Sequence, residues 1–179
     1  MCARTIIAAD SALIRPAVSD DLGQIKDILN YEIMTSTVSW TSTPKSFEQM
    51  LSWFNDRRDA GFPILVAVID DQVAGYASYG PFRAGEGYAS TVEHTVYVKH
   101  DYRRQGLARL LIERLFEIAR SLGLRRMVGG VSSGAEGSYE LHLRLGFEDC
   151  GRLPGIGQKF GQDLDLIFMV YRLDQTNRV

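Results

Sequence analysis

Apolar residues in this chain recur at two spacings, in short runs or alternation and at intervals of three to four. The first block, Ala12 to Pro16, reads as a short strand. Ser19 or Asp20 then caps a helix running to about Met34, with Leu22, Ile25, Ile28, Leu29 and Ile33 on one face. Ser36 to Pro44 is a polar loop holding an isolated Trp40. Ser46 caps a second helix, with Glu48 nearby and Phe47, Met50, Leu51 and Phe54 as its apolar face. Pro63 to Asp70 is a dense apolar strand, Asp70-Asp71-Gln72 a turn, and Val73 to Tyr79 the returning partner. Gly80-Pro81-Phe82-Arg83 breaks that pairing, and a glycine-containing loop follows to Gly87. Thr91 to Val98 is the next strand. Gly106 to Leu122 is the clearest helix, with Leu107, Leu111, Leu115, Ile118 and Leu122 on one face and Gly123 as its stop. Arg126 to Val131 reads as a strand and Ala135 to Leu145 as a short helix ended by Gly146. Phe147 to Gly151 and Leu164 to Leu173 are the last strands, joined by the loop Leu153 to Gln162. Early hairpins followed by alternating strands and helices predict an α/β domain with a mixed, partly antiparallel sheet flanked by helices.

Composition narrows the class. A chain of 179 residues, 45% hydrophobic, suits one compact domain. That domain is expected over 12–173, with tails at 1–11 and 174–179. The net charge of -2 argues against nucleic acid as a partner. Cys2 and Cys150 offer neither a disulfide framework nor a metal spacing, and the three histidines fit no metal pattern. Met1 to Ser11 does not read as a signal peptide, and no apolar run approaches the roughly 20 residues of a membrane span. A cytoplasmic protein with no membrane partner is the expectation.

Candidate chemistry gathers around residues 91–109. Arg103-x-x-Gly106-x-Ala108 lies between a strand and a helix, where unpaired helical N–H groups and the helix dipole attract anions. Gly106 lets a ligand approach the main chain, and Ala108 keeps the next turn small. Lys99, Arg103, Arg104 and Arg109 against Asp101 give a local charge of +3. Taken alone, the pattern is better read as an ordinary turn with solvated arginines. On the strand, Thr91, Glu93, Thr95 and Tyr97 share one face and Val92, His94, Val96 and Val98 the other. Glu93 is either a base lining a cleft or a rim carboxylate. His94 points away from it and reads as structural. Tyr139 and His142 share a face of the short helix.

Thr91-Val92-Glu93-His94-Thr95-Val96-Tyr97-Val98, the R-x-x-G-x-A turn, Gly75 to Arg83, Leu141-His142 with Leu145-Gly146-Phe147, and Gly157-Gln158-Lys159-Phe160-Gly161 with Leu164-Asp165-Leu166 resemble the GNAT N-acetyltransferase superfamily. Within it, the resemblance is to the phosphinothricin / methionine sulfoximine N-acetyltransferases, from about Ile14 to Tyr171. It implies acetyl-coenzyme A as co-substrate, a small amino-acid-like amine as acceptor, and a homodimer. It implies pyrophosphate binding by the main chain of Arg104, Gln105, Gly106, Leu107, Ala108 and Arg109, and contacts from Val96, Tyr97 and Val98 to the pantetheine arm. Glu93 becomes the general base, His142 a second catalytic residue and Tyr139 the alternative acid. Arg83 and Lys159 would meet an anionic acceptor, walled by Trp40 and Phe82. Two departures stand out. Ala135 replaces an asparagine that reaches the pantetheine arm, with Ser132 or Ser133 as substitutes, and Asp163 replaces an aromatic residue near the pocket. A coenzyme-A-binding module without turnover, or transfer to a protein N-terminus or a polyamine, are the competing uses. Arg83 and Lys159 argue against a polyamine.

Overall fold

A computed structural model describes residues 12–174. The proposed tail at 1–11, Cys2, and residues 175–179 lie outside the described residues. Seven strands and four helices follow in the order β1 (Leu13–Pro16), α1 (Leu22–Thr35), α2 (Phe47–Asp59), β2 (Ile64–Ile69), β3 (Gln72–Pro81), β4 (Thr91–Val98), α3 (Leu107–Ser121), β5 (Arg126–Ser132), α4 (Glu136–Arg144), β6 (Glu148–Lys159) and β7 (Gln162–Arg172). The strands form one sheet in the order β1-β2-β3-β4-β5-β7-β6. Every neighbouring pair is antiparallel except β4 and β5. The expected mixed sheet is therefore present.

Two cores cover its two faces. Leu22, Ile25 and Ile28 of α1 and Met50 and Phe54 of α2 pack on Ile64, Val66, Val73 and Tyr76. On the other face Leu107, Leu111, Ile112, Leu115, Phe116 and Ala119 of α3 pack on Leu65, Ala67, Ala77, Tyr79 and Val92, with Phe147 and residues of α4 alongside. Helical spacing gives α1 and α3 one continuous apolar stripe each, which is why each lies flat on the sheet.

Several boundaries differ from the sequence expectation. Ser19–Asp21 form a 3-10 turn instead of capping α1, because the Asp21 carboxylate binds Arg15 at 2.7 and 2.8 Å and the Val18 amide at 2.8 Å. Ser46 does cap α2, in a reciprocal box with Gln49 rather than Glu48. Phe47, Leu51 and Leu122 are exposed rather than buried. The strand β3 runs on to Pro81, paired through Gly80↔Glu93 and Pro81↔Val92. The loop expected over Leu153–Gln162 is instead the outer part of a long hairpin. Its strand β6 reaches Lys159, with two register shifts, and turns at Phe160 and Gly161. Among the described residues, no helix is long and apolar enough to cross a membrane, and no group of three or more His, Cys, Asp or Glu is placed to hold a metal.

Candidate active site

The turn before α3 presents several main-chain N–H groups outward. Arg104 (φ 66) and Gly106 (φ 83) both take left-handed backbone conformations, which curl successive N–H groups into a concavity. Gly106 stands at the start of α3 without a side-chain cap, and the first turn of the helix carries no acidic residue. The amide of Leu110 is the first to return to the Gly106 carbonyl, leaving those of Leu107, Ala108 and Arg109 facing outward. Arg104 and Arg109 are exposed at this rim. Arg103 behaves differently from the expectation that grouped it with them. Its guanidinium turns inward, donating to the Val98 carbonyl at 3.2 Å and pairing with the buried carboxylate of Glu32 on α1. The Gln105 side chain also turns inward, so only its main chain faces outward with the turn.

Beside this turn the sheet opens. Strands β4 and β5 pair only through Thr91↔Arg126, Val92↔Met127 and Glu93↔Val128. Past that rung β5 continues with β7, and β4 stays on β3 as far as Val98. The edge of β4 that carries Val96, Tyr97 and Val98 therefore faces a cleft without a ladder partner on that side. An extended amide-bearing chain fits such an edge. Of the proposed substitutes for the missing asparagine, the Ser132 hydroxyl accepts from Trp40 Nε1 at 3.2 Å and that of Ser133 from the Asp165 amide at 3.0 Å.

Glu93 stands at the last rung before the opening and is half-buried. Burial raises its pKa, and the nearby Arg83 guanidinium opposes that shift. Arg83 lies 4.4 Å over the Phe82 ring and 6.0 Å from that of Phe168, and it donates to the Phe82 carbonyl. Phe82 itself meets Phe168 edge-on at 6.1 Å. A Cβ at Gly130 would stand 3.0 Å from Glu93 Oε1, so the bare backbone there makes room for the carboxylate. Trp40 reaches the same side from the loop 36–45 and covers Gly157, where any Cβ would collide with the indole. Lys159 is 3% exposed; its ammonium donates to the Ser39 carbonyl, and burial lowers its pKa. Glu93, Arg83 and Phe82 thus come together, with Trp40 and Lys159 joined to the loop that flanks them. Asp163 is exposed and meets Gln158 at 3.3 Å.

His142 and Tyr139 do not join this group. Gly129 and Gly130 are successive strand residues and face opposite ways. A Cβ at Gly129 would meet His142 Nε2 at 2.8 Å and His94 Nε2 at 3.0 Å, so both imidazoles lie on the sheet face opposite Glu93. His142 Nδ1 is 2.6 Å from the Ser138 carbonyl, which can only accept, so Nδ1 carries the proton. His142 Nε2 is then the acceptor for His94 Nε2, 2.9 Å away, and His94 Nδ1 is left bare. Burial pushes both imidazole pKa values down, that of His94 far down. The Tyr139 hydroxyl donates to Asp149 at 2.9 Å, a bond that raises its pKa.

The sequence reading missed two charged groups. Neither Glu32 nor Arg57 belongs to a sequence motif. Arg57 lines a cavity of about 530 Å³ between α2, the loop 36–45 and strands β3 and β4, on the Glu93 face.

Comparison with known proteins shows the family of the chain. The acetyltransferase (GNAT) family pattern matches residues 26–147. An L-methionine sulfoximine/L-methionine sulfone acetyltransferase of Pseudomonas aeruginosa is 47% identical over 167 residues, covering 93% of this chain and 97% of the relative. An L-amino acid N-acyltransferase of Escherichia coli is 39% identical, covering 90% and 94%. Among solved structures, a GNAT superfamily phosphinothricin acetyltransferase from Sinorhizobium meliloti in complex with acetyl-coenzyme A superposes with a TM-score of 0.89 at 30% identity, covering 94% and 92%.

Proposed function

This chain belongs to the GNAT acetyltransferase family, and we propose that it transfers an acetyl group from acetyl-coenzyme A to the amino group of a small amino-acid-like acceptor. The observation that carries this reading is the half-buried Glu93 at the last β4–β5 rung, with Arg83 beside it. The names of the two relatives support methionine sulfone, methionine sulfoximine or a similar amino acid as acceptor.

Acetyl-coenzyme A supplies an acetyl group activated as a thioester. The main chain from Arg104 to Arg109 would hold its pyrophosphate, and that of Val96 to Val98 its pantetheine arm. Amines are mostly protonated at neutral pH, and each unit below the pKa costs about 1.4 kcal/mol of free amine. Glu93 takes that proton, directly or through a water, and its burial makes it a better base than a solvated carboxylate. Arg83 offers a fork to the acceptor carboxylate, while Phe82 and Trp40 wall the site and Lys159 holds the loop that carries Trp40. His142 is assigned no proton transfer here, since both its ring nitrogens are engaged on the far face. The Tyr139 hydroxyl is likewise engaged by Asp149. The exposed Leu153, Ile156 and Phe160 on the outer hairpin support a homodimer, which sedimentation velocity would register as twice the chain mass.

An acetylation screen over methionine sulfone, methionine sulfoximine, phosphinothricin and ordinary amino acids, read by mass spectrometry, tests the reaction. Glu93→Gln should lower turnover at saturating cofactor by about 10²–10⁴-fold. Unchanged turnover across pH removes Glu93 from the base role.

A further inference from the structure

The cavity of about 530 Å³ has Ser78 and Thr95, a β3–β4 rung on the Glu93 face, in its lining. Two residues further along, Gly80 pairs with Glu93, and there Arg57 lies over Gly80 as part of the lining. Its Nη1 lies 1.3 Å from where a Cβ at Gly80 would stand, so the missing side chain is what admits the guanidinium. Arg57 donates one hydrogen bond, to the Tyr79 carbonyl at 3.1 Å, and its guanidinium carbon is 5.7 Å from the Phe62 ring. Among the described residues, no carboxylate stands within ion-pair distance of it. Its other four N–H groups have no hydrogen-bond partner among the described residues. Lys45 adds a second cation to the lining, against Asp56 as its one carboxylate.

A desolvated guanidinium with a free fork, walled by Trp53, Tyr76 and Tyr97, is a seat for oxygens that carry negative charge. With the acceptor amine at Glu93 and its α-carboxylate at Arg83, the group left to reach Arg57 is at the end of the acceptor side chain. We propose that Arg57 is a specificity-determining residue that binds a second oxygen-bearing group on that side chain, of sulfonyl, phosphinyl or carboxylate type. This rests on the reading of the chain as an amino-acid N-acetyltransferase.

L-Methionine sulfone and L-methionine share a skeleton and differ by the two sulfonyl oxygens, so the ratio of their kcat/KM values isolates the contact. The wild type should favour the sulfone. Arg57→Met should cut that ratio by about 10–100-fold, the usual worth of a hydrogen bond to a charged group. Arg57→Lys keeps the charge but loses the fork and should fall between. An unchanged ratio in Arg57→Met, with both acceptors losing equally, overturns the proposal. Should thermal unfolding show that the Met variant does not fold, the Lys variant decides, and an unchanged ratio there overturns it equally. A wild type that acetylates amino acids without preferring the sulfone overturns this inference alone. A wild type that acetylates no amino acid overturns the broader reading as well.

Discussion

The contact between Arg103 and Glu32 predicts an asymmetric response to mutation. The Glu32 side chain is 3% exposed and that of Arg103 40%. Arg103→Met leaves a buried carboxylate whose remaining side-chain partner is the Ser36 hydroxyl at 2.8 Å. Breaking a buried pair from one side costs about 3–5 kcal/mol, and the solvent access of Arg103 puts this case lower, at about 2–3 kcal/mol. Glu32→Gln leaves an arginine that water can reach and an amide oxygen that still accepts, so it should cost about 1 kcal/mol or less. For a chain of this length, about 2–4 °C of Tm accompanies each kcal/mol, so Arg103→Met should lower Tm by about 4–12 °C. The double variant buries no unpaired charge and should be more stable than Arg103→Met alone. Because Arg103 also holds the Val98 carbonyl at the start of the anion turn, Arg103→Met should raise the KM for acetyl-coenzyme A more than that for the acceptor. Thermal unfolding followed by circular dichroism, with steady-state kinetics on the same samples, measures both. A Glu32→Gln variant as unstable as Arg103→Met, or a double variant no better than the single one, would refute the reasoning.

Two further outcomes follow from the titrating groups. Burial raises the Glu93 pKa and Arg83 lowers it, so Arg83→Gln should move the acidic limb of kcat, measured at saturating acceptor, to higher pH; a limb that stays put or moves down excludes the coupling. His94 and His142 are held neutral in the folded state, so below about pH 6.5 the unfolded chain takes up protons that the folded chain refuses. Stability should therefore fall as pH drops from about 7 to about 5.5, by at most about 1.4 kcal/mol per pH unit for each histidine, and less steeply in His142→Gln. Urea unfolding across that range checks this, and equal slopes in the two proteins would count against the buried neutral pair.

Local pattern made much of this molecule readable in advance. The strand Thr91–Val98, the stripe of α3, the turn at Asp70 and Asp71 and the cap at Ser46 depend on residues close in sequence, and they stand where spacing put them. What was not legible depends on distant partners. Pro154, Gly155 and Gly157 make the outer half of β6 look like a loop, yet pairing with β7 and two register shifts turn it into a strand. Helical spacing put Tyr139 and His142 on one face but could not say which side of the sheet that face would meet. The Glu93 side chain could be placed on the polar face of its strand, whereas the opening beside it arises because β5 leaves β4 for β7. Arg57 and Glu32 act across 22 and 71 residues of chain, to Tyr79 and Arg103, and local composition carries no trace of such contacts.

The divergence of β4 from β5 also bears on how the molecule holds together. Its sheet consists of two leaves, β1-β2-β3-β4 and β5-β7-β6, hinged on three rungs. Farther along, the leaves are fastened by side chains that cross between them, Trp40 on Ser132 and Lys159 on the Ser39 carbonyl. A ligand seated along the free edge of β4 adds a second seam opposite the hinge. Occupancy then clamps the leaves, and a ligand at 100 times its Kd contributes about 2.7 kcal/mol against unfolding. The proposed cofactor cleft thus lies where two neighbouring strands share the fewest rungs of the sheet.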